Sequence, residues 1–291
     1  MKELFKLMTE IGAVGADTEI NLDYSGAKFT HPFFTLPLLL LIRNKNQNEG
    51  FSIKIDNQFF NHSVASYMES ISFPNMLTCD NKPLEEIESI LESYSQKTYI
   101  PLINFPIGDD PHTNVVRDKF ISHLNRLIRN IVEMDQINAL YYMIDELISN
   151  IVHHAGRDKG YILAQNFPTK GYVDICIGDI GRTLLESYQQ FENNRYGITT
   201  HSEAMHAALS GKSTKGGIDR GYGISTSTKM LCEGMNGRFF MFSGNSFTYI
   251  NAHERDITEI KIPKVYWEGV LICMRIPHKT GTEFNYIDYT E

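Results

Sequence analysis

The chain of 291 residues is long enough for one large or two medium-sized domains, and we expect two. Its formal net charge of -8 and its pI of about 5.7 disfavour general nucleic-acid binding, because phosphate contacts need a surplus of lysine and arginine on one face. We therefore expect no nucleic-acid partner.

The cysteines and the longest apolar run bear on the compartment. Cys79, Cys176, Cys232 and Cys273 lie far apart and form no CxxC pair, which is typical of reduced thiols in a core. The amino-terminal sequence has a charge at position 3 and no apolar stretch of signal-peptide length. The longest apolar run, 33–42, is far shorter than the roughly 20 residues of a membrane helix. These features predict a cytoplasmic protein with no membrane partner.

The first part of the chain has the pattern of a small α/β unit. After an amphipathic segment, the order strand, apolar helix, polar connection, strand runs through "TEINLDYSG" and "FTHPFFTLPLLLLIRNKNQNEGFSIKIDNQ". Further helices are expected in "NHSVASYMESIS" and "CDNKPLEEIESILESYSQK". The prolines and paired aspartates of "IPLINFPIGDDPHTN" indicate a loop or linker, so we place a domain boundary between residues 78 and 115.

The second part begins with a long helical pattern. Apolar residues at three- and four-residue steps predict two helices between 115 and 155, with Gly156 as the stop. Two strands, "GYILAQNF" and "GYVDICIGDIG", follow around the hairpin turn "PTKG". The polar, glycine-rich passage from about 186 to 223 has the character of a loop. After it we expect a helix in "ISTSTKMLCEGM" and strands in "GRFFMFSG", "TEIKIP" and "EGVLICMRIP".

Three polar residues interrupt the second of these helices. Glu146, Asn150 and His154 are spaced i, i+4 and i+8, so they project from nearly one face. An asparagine carbonyl suits Mg²⁺ together with phosphate oxygens, and a carboxylate one turn away can orient or deprotonate a water or hydroxyl. The alternative is the ordinary polar face of an amphipathic helix. Zinc is disfavoured because the sequence lacks an HExxH pattern.

Two further motifs follow in order along the chain. Asp179 and Gly181 come directly after an apolar strand, and Gly221 and Gly223 open a helix. A buried aspartate needs a donor, and the exocyclic amino group of a purine is one. Glycines allow backbone amides to approach phosphate closely.

This ordered set resembles the GHKL superfamily of ATPases, which includes gyrase, sensor histidine kinases and anti-sigma-factor serine kinases. The N box, E-x-x-x-N, resembles "ELISNIVHHA", and the first glycine box, D-x-G-x-G, resembles "DIGRT". The second glycine box, G-x-G, resembles "GYGIS". The resemblance covers roughly residues 115–277 and implies the Bergerat α/β sandwich, a mixed sheet under a helical layer.

By that resemblance, Asn150 would hold Mg²⁺, Asp179 would bind the adenine amino group and Glu146 would be the candidate catalytic base. The glycine loop would close over the phosphates as an ATP lid. Two positions depart from the family pattern. Thr183 replaces the second glycine of the first glycine box, and Val270 after Gly269 lacks the hydroxyl that often supports the adenine-binding aspartate.

The lid sequence "GKSTKGGIDRG" adds cations and hydroxyls that can reach phosphates, with a solvated loop as the alternative for each of them. The predicted cofactor-binding residues for ATP and Mg²⁺ are Asn150, His154, Asp179, Gly181, Thr183, Lys212, Ser213, Thr214, Gly221, Tyr222, Gly223 and Ile224.

The amino-terminal order of elements resembles a STAS domain, the fold of anti-sigma-factor antagonists, over roughly residues 15–80. In those antagonists a serine at the start of the helix is phosphorylated, whereas the aligned positions here hold "HPFF" at 31–34. We therefore expect 1–100 to be a STAS-like regulatory or docking domain, with a plain packing domain as the alternative. Residues 115–291 would form the histidine kinase-like ATPase domain.

The functional expectation is an Mg-dependent ATP-binding protein that acts as an ATPase or a protein kinase-like regulator. Only 14 residues follow Pro277, so we expect no transducer domain, which favours the kinase-like branch. By family analogy the enzyme would be an anti-sigma-type serine/threonine kinase with a STAS-like protein partner. The alternative is a nucleotide-gated interaction switch with little or no turnover. A homodimer is a further expectation.

Overall fold

The computed structural model of the chain describes residues 2–15, 18–22, 27–49, 52–54, 62–78, 84–94, 97–107, 111–129, 134–156, 159–214, 223–262, 265–279 and 284–289. The fold is mixed α/β. A single seven-stranded antiparallel sheet carries a separate hydrophobic core on each of its faces.

The amino-terminal elements follow the predicted order of strand, helix, strand. Their bounds are α1 Lys2–Ala13, β1 Glu19–Asn21, α2 Pro32–Glu49, β2 Ser52–Lys54, α3 His62–Ser70, α4 Phe73–Thr78 and α5 Leu84–Ser93. Strands β1 and β2 pair in parallel, with α2 as the connection between them. Helix α1 is amphipathic as expected, because Leu4, Met8 and Ile11 recur on one buried face.

The remaining elements build the large sheet and its second helical layer. Their bounds are β3 Tyr99–Pro106, α6 Pro111–Arg129, α7 Met134–His154, β4 Lys159–Phe167, β5 Tyr172–Gly178, α8 Leu184–Gln190, α9 His201–Leu209, α10 Gly223–Lys229, β6 Arg238–Gly244, β7 Ser246–Ile250, β8 Arg255–Glu259 and β9 Trp267–Pro277. Strand order is β3-β4-β5-β9-β6-β7-β8. The predicted pair of long helices, the stop at Gly156 and the hairpin after β4 are all confirmed.

The expected linker before α6 is wrong, because "YIPLINFP" is strand β3. The side chains of Ile100, Leu102 and Phe105 are buried in the two cores. Strand β3 is an edge strand, where a missing backbone donor is tolerated, and Pro101 lies at a register irregularity between Ile100 and Ile103. The sheet therefore begins inside the region where the sequence suggested a domain boundary. The division into 1–100 and 115–291 stays a prediction.

Two other expectations are corrected. The large sheet is not mixed, since every neighbouring pair of strands is antiparallel; β9 returns between β5 and β6 and runs opposite to both.

The polar passage after residue 186 is not a plain loop, because it contains α9 and part of α8. Each of these helices starts with a capping box, formed by Thr183 with Glu186 in α8 and by Thr200 with Glu203 in α9. The capping boxes are local sequence signals of a helix start, and the prediction of a loop did not take them into account.

The alternation of side chains along β9 separates the two cores. Ile272 and Met274 face the core formed with α6 and α7, whereas Leu271 and Cys273 face the core formed with α1 to α4. Both faces of the central strands are consequently covered by helices.

Among the residues described above, no helix is long and apolar enough to cross a membrane. Cys176, Cys232 and Cys273 are free and buried. Cys79 lies outside the described residues.

A buried carboxylate joins the amino-terminal segment to the sheet. Asp174 on β5 is fully buried and accepts hydrogen bonds from Arg275 on β9, at 2.8 Å from Nε and 3.0 Å from Nη2. His31, which precedes α2, places Nε2 2.6 Å from the same carboxylate and stacks on Phe167. Asp174 thus forms an ion pair with Arg275 and is contacted by His31, so the buried carboxylate has partners from two separate parts of the chain.

Replacing this carboxylate should be costly. We expect Asp174→Asn to lower the free energy of unfolding by about 3 kcal/mol, since it leaves Arg275 half-buried without its counter-charge. Urea unfolding followed by circular dichroism measures the change. The control is Glu192→Gln, which breaks an exposed ion pair with Arg195 and should cost less than about 1 kcal/mol. Equal losses in the two variants would contradict the buried compensation.

Candidate functional site

A cavity opens between α7, the end of β5, the segment 212–214 and the start of α10. We call it the α7 cavity; it spans about 720 Å³, a volume that includes open solvent at its mouth. The predicted site residues that line it are Glu146, Asn150, His154, Asp179, Lys212, Ser213, Thr214, Gly223 and Ile224. Four segments that are far apart in sequence therefore meet at one concave site.

Helix α7 contributes one wall. Its apolar residues, such as Met143 and Ile144, are buried in the core under the sheet, which leaves the line of Glu146, Asn150 and His154 at the cavity. The Nδ2 atom of Asn150 is buried and has no hydrogen-bond partner in the part of the chain that the structure describes. A buried amide without a partner is costly, so it is a natural contact point for a polar ligand.

The other two polar residues of α7 face the segments on either side of 215–222. At Gly223 a Cβ atom would lie 2.2 Å from Glu146 Oε2, so the absence of a side chain lets α10 approach this carboxylate. The ring nitrogens of His154 lie 3.4 and 3.5 Å from Thr214 Oγ1. These contacts bring the ends of the glycine-rich segment next to α7.

Asp179 lies at the base of the cavity and is 1 % exposed. The Gly181 amide donates to its Oδ1 at 2.8 Å, and the Val270 amide donates to its Oδ2 at 3.2 Å. Burial raises the pKa of Asp179 to about 7, although the two backbone donors oppose the shift. The carboxyl group thus changes charge near neutral pH.

Two glycines make room for this carboxylate. A Cβ at Gly269, where φ is +86°, would lie 2.4 Å from Asp179 Oδ1. A Cβ at Gly181 would lie 1.9 Å from the carbonyl oxygen of Ala155, where α7 ends. Side chains at these positions would push apart the strand end and the helix end that form the site.

The two departures from the family pattern have local structural explanations. Thr183 is buried and caps α8: its Oγ1 accepts from the Glu186 amide, and it does not line the cavity. Val270 has no hydroxyl, but its backbone amide donates to Asp179, and its side chain contributes to the cavity wall. Gly181 acts through its amide and is likewise not part of the lining.

Tyrosine hydroxyls fix the segment before 215–222. Tyr188 donates to the carbonyl of Lys212 at 2.5 Å, and Tyr196 donates to that of Ser213 at 3.0 Å. Lys212 and Ser213 therefore have anchored backbones at the cavity wall. The predicted binding residues Gly221 and Tyr222, like Lys215 and Arg220, lie outside the described residues.

Sequence reasoning missed Arg182 and Tyr188, which also line the cavity. The Nε atom of Arg182 is buried and, within the described ranges, lacks a hydrogen-bond partner, while its Nη1 atom donates to Gln190. The position of Arg182 directly after the motif of Asp179 and Gly181 is the sequence feature that could have indicated its place at the cavity. Tyr188 had no such signal, because it reaches the cavity only through the packing of α8.

No cluster of three or more His, Cys, Asp or Glu side chains suited to a metal exists among the residues that the structure describes. A dedicated protein cage is thus not found there. Asn150 offers a single amide oxygen as a ligand. One protein ligand suits a cation whose other ligands are phosphate oxygens and water.

Comparison with known proteins adds no identification. No protein-family model matches the chain, and neither curated proteins nor solved structures give a significant match.

The pKa of Asp179 should make stability depend on pH. The folded state keeps this proton up to about pH 7, whereas the unfolded chain loses it near 3.8, so the stabilising contribution is complete at low pH and is lost as pH rises through 7. We expect the free energy of unfolding of wild type to fall relative to Asp179→Asn by about 1 kcal/mol per pH unit between pH 5 and 7. Urea unfolding at a series of fixed pH values measures this difference. If the free energies of unfolding of wild type and Asp179→Asn change with pH in parallel, Asp179 does not titrate as a buried group.

The close approach at Gly181 should tolerate no side chain. We expect Gly181→Ala to lower the free energy of unfolding by about 2 kcal/mol, because its Cβ would overlap a backbone carbonyl that cannot rotate away. Gly15→Ala is the matched control, since nothing lies within 4 Å of the added methyl group, and it should change stability by less than about 1 kcal/mol. Thermal and urea unfolding of both variants test the difference.

Proposed function

We propose that the chain is an Mg-dependent ATP-binding protein of the GHKL class and that the α7 cavity is its nucleotide site. The observation that carries this proposal is the convergence of Glu146, Asn150 and Asp179 with the segment 212–214 around one cavity. These residues come from the N box, the first glycine box and the lid sequence, in the order that the family resemblance requires. Chance amphipathicity of α7 would not bring the other two segments to the same place.

Asp179 would bind the adenine end. Its carboxylate is buried, and its two backbone donors leave acceptor positions at each oxygen. An exocyclic amino group is a donor that could occupy one of them. Ile151, Val270 and Ile272 give this end of the cavity an apolar lining against which a purine can pack.

The polar end of the cavity would hold the phosphates. Lys212 supplies a cation, Ser213 and Thr214 supply hydroxyls, and Arg182 adds a guanidinium group that sequence reasoning did not include. Asn150 would orient Mg²⁺ through its amide oxygen, while Nδ2, which lacks a partner in the described residues, is available to the ligand. Bound Mg²⁺ would neutralise phosphate charge and favour transfer of the terminal phosphoryl group.

Glu146 decides between the two forms of the proposal. As an enzyme, the protein would use this carboxylate as the base that accepts a proton from water or from a protein hydroxyl. As a nucleotide-gated switch, it would bind ATP with little turnover and present a different surface to a partner protein. The contact between Glu146 and Gly223 supports either form, because it couples the candidate base to the end of the glycine-rich segment.

The amino-terminal part would regulate this site or dock a partner. The parallel pairing of β1 and β2 around α2 supports a STAS-like arrangement in residues 1–100. We propose a STAS-like protein as the partner of the kinase form and include self-association as a homodimer. Thr35 carries a hydroxyl near the start of α2, where the antagonists have their phosphorylated serine. This side chain is fully buried and forms hydrogen bonds with Thr30 and with the carbonyl of His31, which disfavours it as a phosphorylation site.

Calorimetric titration with ATP and Mg²⁺ tests the binding proposal. Wild type should bind, Asp179→Asn should bind at least about tenfold more weakly because its amide cannot replace both acceptor oxygens, and Asn150→Ala should lose the Mg-dependent part of the affinity. Asn245→Ala, on the turn after β6, is the control for a polar residue outside the cavity. If wild type shows no binding at millimolar ATP, the proposal of a nucleotide site is wrong.

Phosphate release by the same samples separates the two forms. If the protein is an enzyme, Glu146→Gln should retain ATP affinity within about threefold and lose at least about a hundredfold in turnover, because a general base contributes that much. If it is a switch, wild type should bind ATP without release, and Glu146→Gln should behave identically. Equal turnover in both proteins would exclude Glu146 as the base.

A further inference from the structure

A second cavity lies on the opposite face of the sheet, between α1, the start of α2 and strands β6, β7 and β9. We call it the α1 cavity; it encloses about 1050 Å³, counted to its open mouth. Strand β9 separates it from the α7 cavity: Ile272 lines one and Cys273 lines the other, because successive side chains point to opposite faces.

The walls of the α1 cavity are mainly aromatic. Phe240 and Tyr249 are cross-strand partners on its floor, and Phe247 lies beside them with its ring 6.0 Å from that of Phe240. Phe33 and Phe34 close it from the start of α2. Such a set of rings favours a flat, apolar ligand body, because offset and edge contacts between rings add to the gain from burial.

Its polar end is cationic. Arg238 and Arg275 are direct cross-strand partners on β6 and β9, and both line the cavity. Like charges at such positions repel each other unless an anion compensates them. Arg275 has its counter-charge in Asp174 and lies 3.9 Å from the ring of Tyr172.

Arg238, in contrast, is exposed, and its side chain makes no ion pair or hydrogen bond within the ranges that the structure describes. Glu3 of α1 also lines the cavity but forms no ion pair with Arg238 there. Arg238 is therefore a cation beside an aromatic pocket, next to a second arginine that is already paired.

We propose that the α1 cavity binds a small aromatic organic anion, with its ring system among the phenylalanines and its acidic group on Arg238. A guanidinium group can bind two oxygens of one oxyanion, such as a carboxylate or a sulfonate, through two parallel hydrogen bonds, which gives orientation as well as charge compensation. This site is distinct from the proposed nucleotide site, since the two lie on opposite faces of the sheet and share no lining side chain.

The test uses two fluorescent probes with the full chain. Anilinonaphthalene sulfonate is an aromatic anion, and N-phenyl-1-naphthylamine has the same ring system without the acidic group. Wild type should bind the sulfonate with enhanced fluorescence. Arg238→Gln should weaken the sulfonate about tenfold and change the neutral probe less than about twofold, because only the charge-assisted contact is removed.

Two further variants locate the site. Tyr249→Val removes a ring from the floor and should weaken both probes about fivefold, since it acts on the aromatic body they share. Arg126→Gln, which removes an exposed arginine on α6, should leave both affinities unchanged. Circular dichroism confirms that each variant is folded.

Three results would overturn the proposal. They are no saturable sulfonate binding by wild type, an equal loss of both probes in Arg238→Gln, or unchanged binding of the sulfonate in that variant. Arg238 is exposed, so its replacement should not unfold the chain, and the comparison of the two probes remains decisive even if Tyr249→Val is unstable. Failure would leave the nucleotide proposal untouched, because ATP titration does not involve these residues.

Discussion

The central strands of the seven-stranded sheet are apolar on both faces, and the rest of the fold follows from the need to cover both. Leu271 and Ile272, neighbours on β9, are each buried, but in opposite cores. At roughly 25 cal/mol per Å² of buried apolar surface, leaving either face in water would remove much of the stabilisation that offsets chain entropy. Helices α6 and α7 cover one face, and helices α1 to α4 cover the other. The amino-terminal helices are therefore part of the structure around the sheet.

The same two-sided burial explains why ionisable groups inside this protein are conspicuous. Asp174 and Asp179 lie on or just after β5 and are both buried, yet they are compensated differently. Asp174 has an arginine and a histidine beside it, whereas Asp179 has two backbone amides and faces a cavity. The ion pair with Arg275 and the contact with His31 make the first a structural tie between the amino-terminal segment and the sheet. Incomplete compensation, with a raised pKa, makes the second a candidate for ligand recognition.

Both proposed binding sites use residues of strand β9. Val270 and Ile272 line the α7 cavity, while Cys273 and Arg275 line the α1 cavity. Successive residues of one strand therefore line both sites, because side chains alternate between the two faces of the sheet.

The sequence alone determined the features that depend on local geometry. The line of Glu146, Asn150 and His154 follows from helical periodicity, and Asp179 was placed at a strand end by the apolar run before it. Tertiary structure decided what local patterns do not contain: that "YIPLINFP" is an edge strand, that Arg182 and Tyr188 reach the cavity, and that Thr183 serves as a helix cap. These outcomes depend on which distant segments pack together. The parallel or antiparallel sense of a strand and the partner of a buried charge are set by the whole chain, because contacts between residues far apart in sequence decide them.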